Sequence, residues 1–187
     1  MGTPVTAWGS EDLRRIVLES TDTVTHLLES LTGERLEAAV ISQGRMPAGS
    51  ANGLGIAADR ITTHRVAVLK GCRSGLPYLY AESTFLAECL PDQARAQLAQ
   101  TRDPIGRILV AHGLKPLREA LPMPAADRAD VVASAAGPGC ETVWARAYRL
   151  TLDDVPVFSI REWFLRPVLS ALEQQPTASS PARPALS

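Results

Sequence analysis

The sequence predicts an α+β fold with a largely antiparallel sheet. Three observations carry that expectation. Helical periodicity opens the chain, the alternating runs that follow come in pairs joined by turns, and 187 residues with 45% hydrophobic content suffice for one well-filled core.

The elements follow in order. Ser10, then Glu11 and Asp12 before Leu13, Ile16, Val17 and Leu18, is a capped start of a short helix. Thr21-Asp22-Thr23 opens a second, whose Val24, Leu27, Leu28 and Leu31 share a face and whose stop is Gly33. Glu37 to Gln43 is a strand candidate. Gly44 to Asp59, rich in Gly, Ala and Pro, is expected to be a flexible loop able to act as a lid. Arg60 to Leu69 is β-branched and alternating, K-G-C-R-S-G-L-P breaks it, and Tyr78 to Phe85 resumes it as a hairpin. Pro91 to Gln100 is helical in composition, and Asp103-Pro104-Ile105-Gly106 turns into another short helical piece. Val143 to Leu152 and Val157 to Leu165 form a further strand pair around Asp153-Asp154-Val155-Pro156. We expect one domain over residues 1–173 and a disordered tail over 174–187, where Pro, Ser and Ala dominate.

A formal charge of −1 leaves no electrostatic footprint for nucleic acid or anionic lipid, so a partner must be found by a local site. Of the cationic residues only Lys70 and Lys115 are lysines, so an anion site would use guanidinium forks. Cys72, Cys89 and Cys140 are odd in number and stand at no metal-ligand spacing, which favours a reducing, cytoplasmic compartment. The opening M-G-T-P-V-T-A-W lacks the pattern of a signal peptide, and no run of about 18 apolar residues suggests a membrane span. No metal or cofactor is expected. His26, His64 and His112 have no local carboxylate or cysteine partner and read as surface or core residues.

The informative residues are charges within strands that should be half buried: Arg65, Glu82, Arg149 and Glu162. Each could point to solvent. Period two nevertheless groups Glu162 with Ile160 and Phe164 on an apolar side, while Arg65, grouped with Ala67 and Leu69, lies opposite the equally apolar Val66 and Val68, which leaves its face open. If both faced the interior they would have to pair or hold a ligand, because an isolated buried ion costs several kcal/mol. A small organic anion could satisfy Arg65 through its carboxylate and Glu162 through a hydroxyl. The alternative is a buried Arg65–Glu162 salt bridge with no ligand.

Four stretches in order, T-D-T-V-T-H-L-L-E-S-L-T-G-E-R-L-E (21–37), H-R-V-A-V-L-K-G-C-R-S-G-L-P-Y-L-Y-A-E-S (64–83), D-P-I-G-R-I-L (103–109) and W-A-R-A-Y-R-L with I-R-E-W-F-L (144–165), resemble the chorismate lyase family. The similarity is to its actinobacterial and cyanobacterial branch and spans about Ile16 to Leu169. It implies a six-stranded antiparallel sheet with helices on one side and a buried ligand pocket under helical flaps. It also implies that Arg65 binds a ring carboxylate, that Glu162 meets the ring hydroxyl, and that the flaps' backbone amides fall at Val24, Ile105 and Gly106.

The implied activity is elimination of pyruvate from chorismate to give 4-hydroxybenzoate, which needs positioning and a proton manager. Arg65 and Glu162 would be its catalytic residues. Arg149, if inward, could take the pyruvyl carboxylate, and Glu82 could be a further wall carboxylate or Arg65's cross-strand partner. The longer K-G-C-R-S-G-L-P connection and the Gly-rich loop could reflect another small substrate, such as one for polyketide cyclisation. A noncatalytic carboxylate-binding module is a third reading, against which the lack of an attached winged-helix segment counts. The expected partner is a small molecule, with no nucleic acid or membrane, bound by a monomer or homodimer.

Overall fold

A computed structural model of the chain describes residues 15, 23–50, 52–123, 129–137 and 140–173. Six strands, β1 (Leu36–Pro47), β2 (Ile61–Gly71), β3 (Pro77–Phe85), β4 (Leu117–Leu121), β5 (Thr142–Leu152) and β6 (Val155–Leu165), form one sheet. Its order is β1-β2-β3-β6-β5-β4 and every pairing is antiparallel. Around it lie α1 (Val24–Thr32), α2 (Asp92–Gln100), α3 (Ile105–Ala111), α4 (Ala129–Ala136) and α5 (Pro167–Glu173). The helix expected from Ser10 and the tail over 174–187 lie outside the described residues, apart from Arg15.

Local chemistry sets the ends of these elements. The Thr23 hydroxyl accepts from the His26 amide at 3.3 Å and caps α1, while Gly33 closes it at φ 66°, a left-handed conformation that glycine adopts without penalty. Asp153 and Asp154 take φ 48° and 63°, so β5 and β6 join through a two-residue turn whose twist matches the strands.

Alternation along the strands divides the sheet into two faces. On one, Leu28, Leu36, Leu69, Leu79 and Phe164 form a core beneath α1, and Leu98, Ile108, Leu150 and Ile160 form a second beneath α2 and α3. The opposite face holds Val68, Tyr80 and Trp163, covered by Val132 of α4. Helices therefore flank both faces rather than one.

The loop expected to be a lid has a different place. Gly44 to Pro47 continue β1, and the Asn52 side chain then ties the loop together by donating to the carbonyls of Gly49 at 2.7 Å and Ile56 at 3.0 Å. Leu54 is buried, and a Cβ on Gly53 would stand 2.3 Å from the Ser159 hydroxyl. Ser159 alternates with Ile160 and so belongs to the face carrying Trp163, which puts the loop behind the sheet. It is pinned there by packing.

A polar latch joins α1 to the β2–β3 turn. The Glu34 carboxylate accepts from the Ser74 hydroxyl at 2.6 Å, the Tyr78 hydroxyl at 2.8 Å and the amides of Arg73 at 2.9 Å and Ser74 at 3.1 Å. Burial alone would raise its pKa, but these bonds outweigh it and hold it at about 2. A carboxyl depressed in the folded state stabilises fully above its unfolded value, near 4.5, and loses that contribution as pH falls towards 2. We expect Glu34→Gln to cost about 1–3 kcal/mol at pH 7. In urea titrations the gap from wild type should narrow between pH 4.5 and 2; a gap independent of pH would contradict the assignment.

Candidate functional site

A cavity of about 140 Å³ lies between the first face of the sheet and the opening turns of α1 and α3. That is roughly ten times the room one water needs. Thr23, Val24 and Thr25 border it from α1, and Pro104, Ile105 and Gly106 from α3. Gly106 permits this approach, since a Cβ there would stand 2.8 Å from the Thr23 Cβ. Arg107 holds the two helices in place through ion pairs to Glu29 of α1 and, at 3.1 Å, to Asp103, and it also donates to the Leu36 carbonyl. Hydrogen bonds from the Gln97 side chain and from Arg107 keep Asp103 below the usual carboxylate range.

The floor follows from strand register. Arg65 stands opposite Ser83, Ser83 opposite Ile160, and Ile160 opposite Tyr148, so these side chains cross four strands on one face. One step along, Glu162 lies between Ala81 and Arg146. Arg65, Ser83, Ile160, Tyr148, Ala81 and Glu162 all line the cavity, as does Arg118 of β4.

Arg65 is 2% exposed. Its Nη1 donates to the Leu98 carbonyl at 2.8 Å and its Nη2 to the Asp103 carbonyl at 3.4 Å. Leu98 is in the last turn of α2, where carbonyl ends carry partial negative charge, which suits a guanidinium. No carboxylate of the described residues forms an ion pair with Arg65. Burial draws its pKa below the ordinary arginine value, yet a guanidinium keeps its charge at neutral pH.

Glu162, also 2% exposed, is placed differently. Its Oε2 accepts from Arg146 Nε at 2.7 Å and its Oε1 from the Tyr148 hydroxyl at 2.7 Å. Burial pulls Arg146 down, but Glu162 and Tyr148 together offset it, and the arginine's pKa rises. Burial and the adjacent Glu162 charge push the Tyr148 hydroxyl well up, so it remains a donor. The ligand-free Arg65–Glu162 salt bridge weighed from sequence is therefore not formed. Glu162 is neutralised by Arg146, and among the described residues the Arg65 charge is met by carbonyls.

Two candidates lie away from the cavity. Arg149 alternates with Tyr148 and Leu150, so it points to the opposite face and pairs with Glu119 at 2.7 Å. Glu82 stands opposite Val66 rather than Arg65, accepts from the Tyr80 hydroxyl at 3.1 Å and meets Arg161 at 3.5 Å behind the sheet. Neither takes the place expected of it, for the same reason of strand parity. The three histidines also stand outside the cavity lining, and among the described residues Cys72, Cys89 and Cys140 form no disulfide.

Comparison with known proteins adds the family. The family model described as Chorismate pyruvate-lyase Rv2949c-like matches residues 18–172. The chain belongs to this Rv2949c-like chorismate pyruvate-lyase family. No curated protein matches it. Among solved structures, it is similar to the effector domain of PhnF from Mycobacterium smegmatis, with 13% identity and a TM-score of 0.55 over 79% of this chain and 91% of that one. A structure of PhnF from the same organism matches with 14% identity and a TM-score of 0.51 over 79% and 65% of the two chains. YydK of Bacillus subtilis subsp. subtilis str. 168 matches with 15% identity and a TM-score of 0.50 over 71% and 60%. At such identity these likenesses concern the fold.

Within this family member, Arg118, Arg146 and Tyr148 belong to the site and were not singled out from sequence. The signal was present for two of them, because Arg146, Tyr148 and Leu150 share a parity that excludes Arg149. Arg118 left none, lying in a five-residue strand with no clear alternation. Among the described residues no group of three or more His, Cys, Asp and Glu side chains is placed to hold a metal ion, and no helix is long and apolar enough to cross a membrane.

Proposed function

We propose that the chain converts chorismate to 4-hydroxybenzoate and pyruvate in this cavity. The observation that carries the reading is Arg65, a buried guanidinium lining the cavity and met, among the described residues, by carbonyls, whereas the carboxylate across the same floor is already neutralised. A ring carboxylate would supply the counter-charge through paired N–H···O bonds. Family membership supports chorismate as the source of that carboxylate.

The residues suit an elimination with aromatisation. The ether C–O bond of the enolpyruvyl group breaks, the hydrogen on the hydroxyl-bearing ring carbon leaves as a proton, and the released enolpyruvate takes up a proton to become pyruvate. Arg65 fixes one end of the ring. Glu162, held by Arg146 and Tyr148, orients the ring hydroxyl at the other and assists the proton's movement. The backbone amides of Val24, Ile105 and Gly106 complete the enclosure, and exclusion of water strengthens both polar contacts.

A second reading, a noncatalytic carboxylate sensor, is favoured by the structural likeness to the PhnF effector domain. Both readings use the same contacts. Calorimetric titration should rank 4-hydroxybenzoate above benzoate, which lacks the hydroxyl for Glu162, by about 5- to 15-fold. Phenol, lacking the carboxylate for Arg65, should bind more weakly than either. Equal affinity for all three would remove the polar groups from the site.

A further inference from the structure

We propose that Arg118 is a specificity-determining residue of this cavity that receives a second anionic group, so that the preferred ligand is a dianion with its charges at two places on one ring. The inference rests on the reading that Arg65 holds a ring carboxylate, and it deepens that reading by naming the ligand's second charge and the group that meets it.

The placement of the two arginines carries the argument. Arg65 is on β2 and Arg118 on β4, with β3, β6 and β5 between the two strands. Both side chains nevertheless line the same cavity, so they enter it from opposite sides. Between them the floor offers Ala67, Ala81, Leu150 and Ile160 as a surface for a ring, beside Ser83, Tyr148 and the Arg146-paired Glu162. A ligand with one anionic group engages one guanidinium. A ligand with two, separated by a ring, spans the cavity.

Arg118 is held in a posture suited to this task. Its guanidinium carbon lies 4.4 Å from the centre of the Tyr148 ring. The guanidinium thereby sits over the aromatic ring, and with five donors an arginine can serve an acceptor besides any it already has. Tyr148 is fixed in turn by its hydroxyl's bond to Glu162, and Glu162 by Arg146. The position of Arg118 is thus tied to the group that orients the ring hydroxyl, which makes its distance from that hydroxyl part of the selection.

This assignment separates substrate from product. Chorismate carries a ring carboxylate and an enolpyruvyl carboxylate, whereas 4-hydroxybenzoate keeps only the first. Arg118 favours the molecule that still has its side chain and contributes nothing to retention of the product.

The test uses two ligands that do not react: 4-hydroxybenzoate, a monoanion, and 3-(1-carboxyvinyloxy)benzoate, an aromatic dianion with both carboxylates. Affinities are measured for wild type, Arg118→Gln and Arg118→Lys, each checked for an unchanged melting transition. Arg118→Gln should weaken the dianion about 30-fold or more while moving 4-hydroxybenzoate less than about 2-fold, and Arg118→Lys should restore part of the loss. Equal changes for the two ligands, or none in either variant, would overturn the inference while leaving Arg65's role standing. If wild type binds neither ligand, the reading of the cavity falls and this inference falls with it.

Discussion

Replacing Arg65 with methionine is expected to lower kcat/KM for chorismate by about 10²–10³-fold and to leave the protein as stable as wild type within about 1 kcal/mol. The two effects part because of what Arg65 touches. Among the described residues it makes two hydrogen bonds to carbonyls and no ion pair, and its desolvation opposes folding. A methionine of similar length refills the volume and removes the buried charge, a change that is often neutral or stabilising. The ligand loses its counter-ion altogether. Parallel denaturant melts and steady-state kinetics check this; a variant that unfolds while its residual folded fraction binds normally would make Arg65 a structural residue.

Glu162→Gln has the opposite balance. Its carboxylate pairs with Arg146, which is 9% exposed, and its loss removes that counter-charge from a buried guanidinium. Breaking such a pair from one side costs about 3–5 kcal/mol, and glutamine, which keeps one acceptor oxygen, should fall near the lower figure. Adding Arg146→Met should recover most of that stability, because no uncompensated charge is then left. Turnover should be low in both the single and double variants, since neither has a carboxylate facing the ring hydroxyl. A single variant as stable as wild type would contradict the pairing, and full turnover in either would remove Glu162 from the chemistry.

The contrast between these residues marks how far the sequence could be read. Glu162 was legible because Ile160 and Phe164 flank it at period two, and the strand does turn that side towards the cavity. Arg65 left its face open for a physical reason. β2 is central and covered on both sides, with Ala67 and Leu69 in one core and Val68 in the other, so alternation along it carries little contrast. Arg146 is legible by the same parity rule, which sets Arg149 on the other face; the Arg149 partner Glu119 sits on β4, whose five largely exposed residues give almost no strand pattern. The eight residues of α4, Ala-rich and short, likewise fall below the length at which periodicity speaks. The Gly-rich loop read as mobile because its composition is that of a loop, whereas its order comes from Asn52 and from contact with Ser159, distant in sequence.

The most direct test of the account is turnover itself. Purified wild-type protein incubated with chorismate, with 4-hydroxybenzoate and pyruvate quantified together by chromatography, should yield the two products in equal amounts, and Arg65→Met should form both about 10²–10³-fold more slowly at low chorismate. No products from wild type, with 4-hydroxybenzoate still bound through Arg65, would contradict the lyase and leave a sensor of aromatic carboxylates in its place.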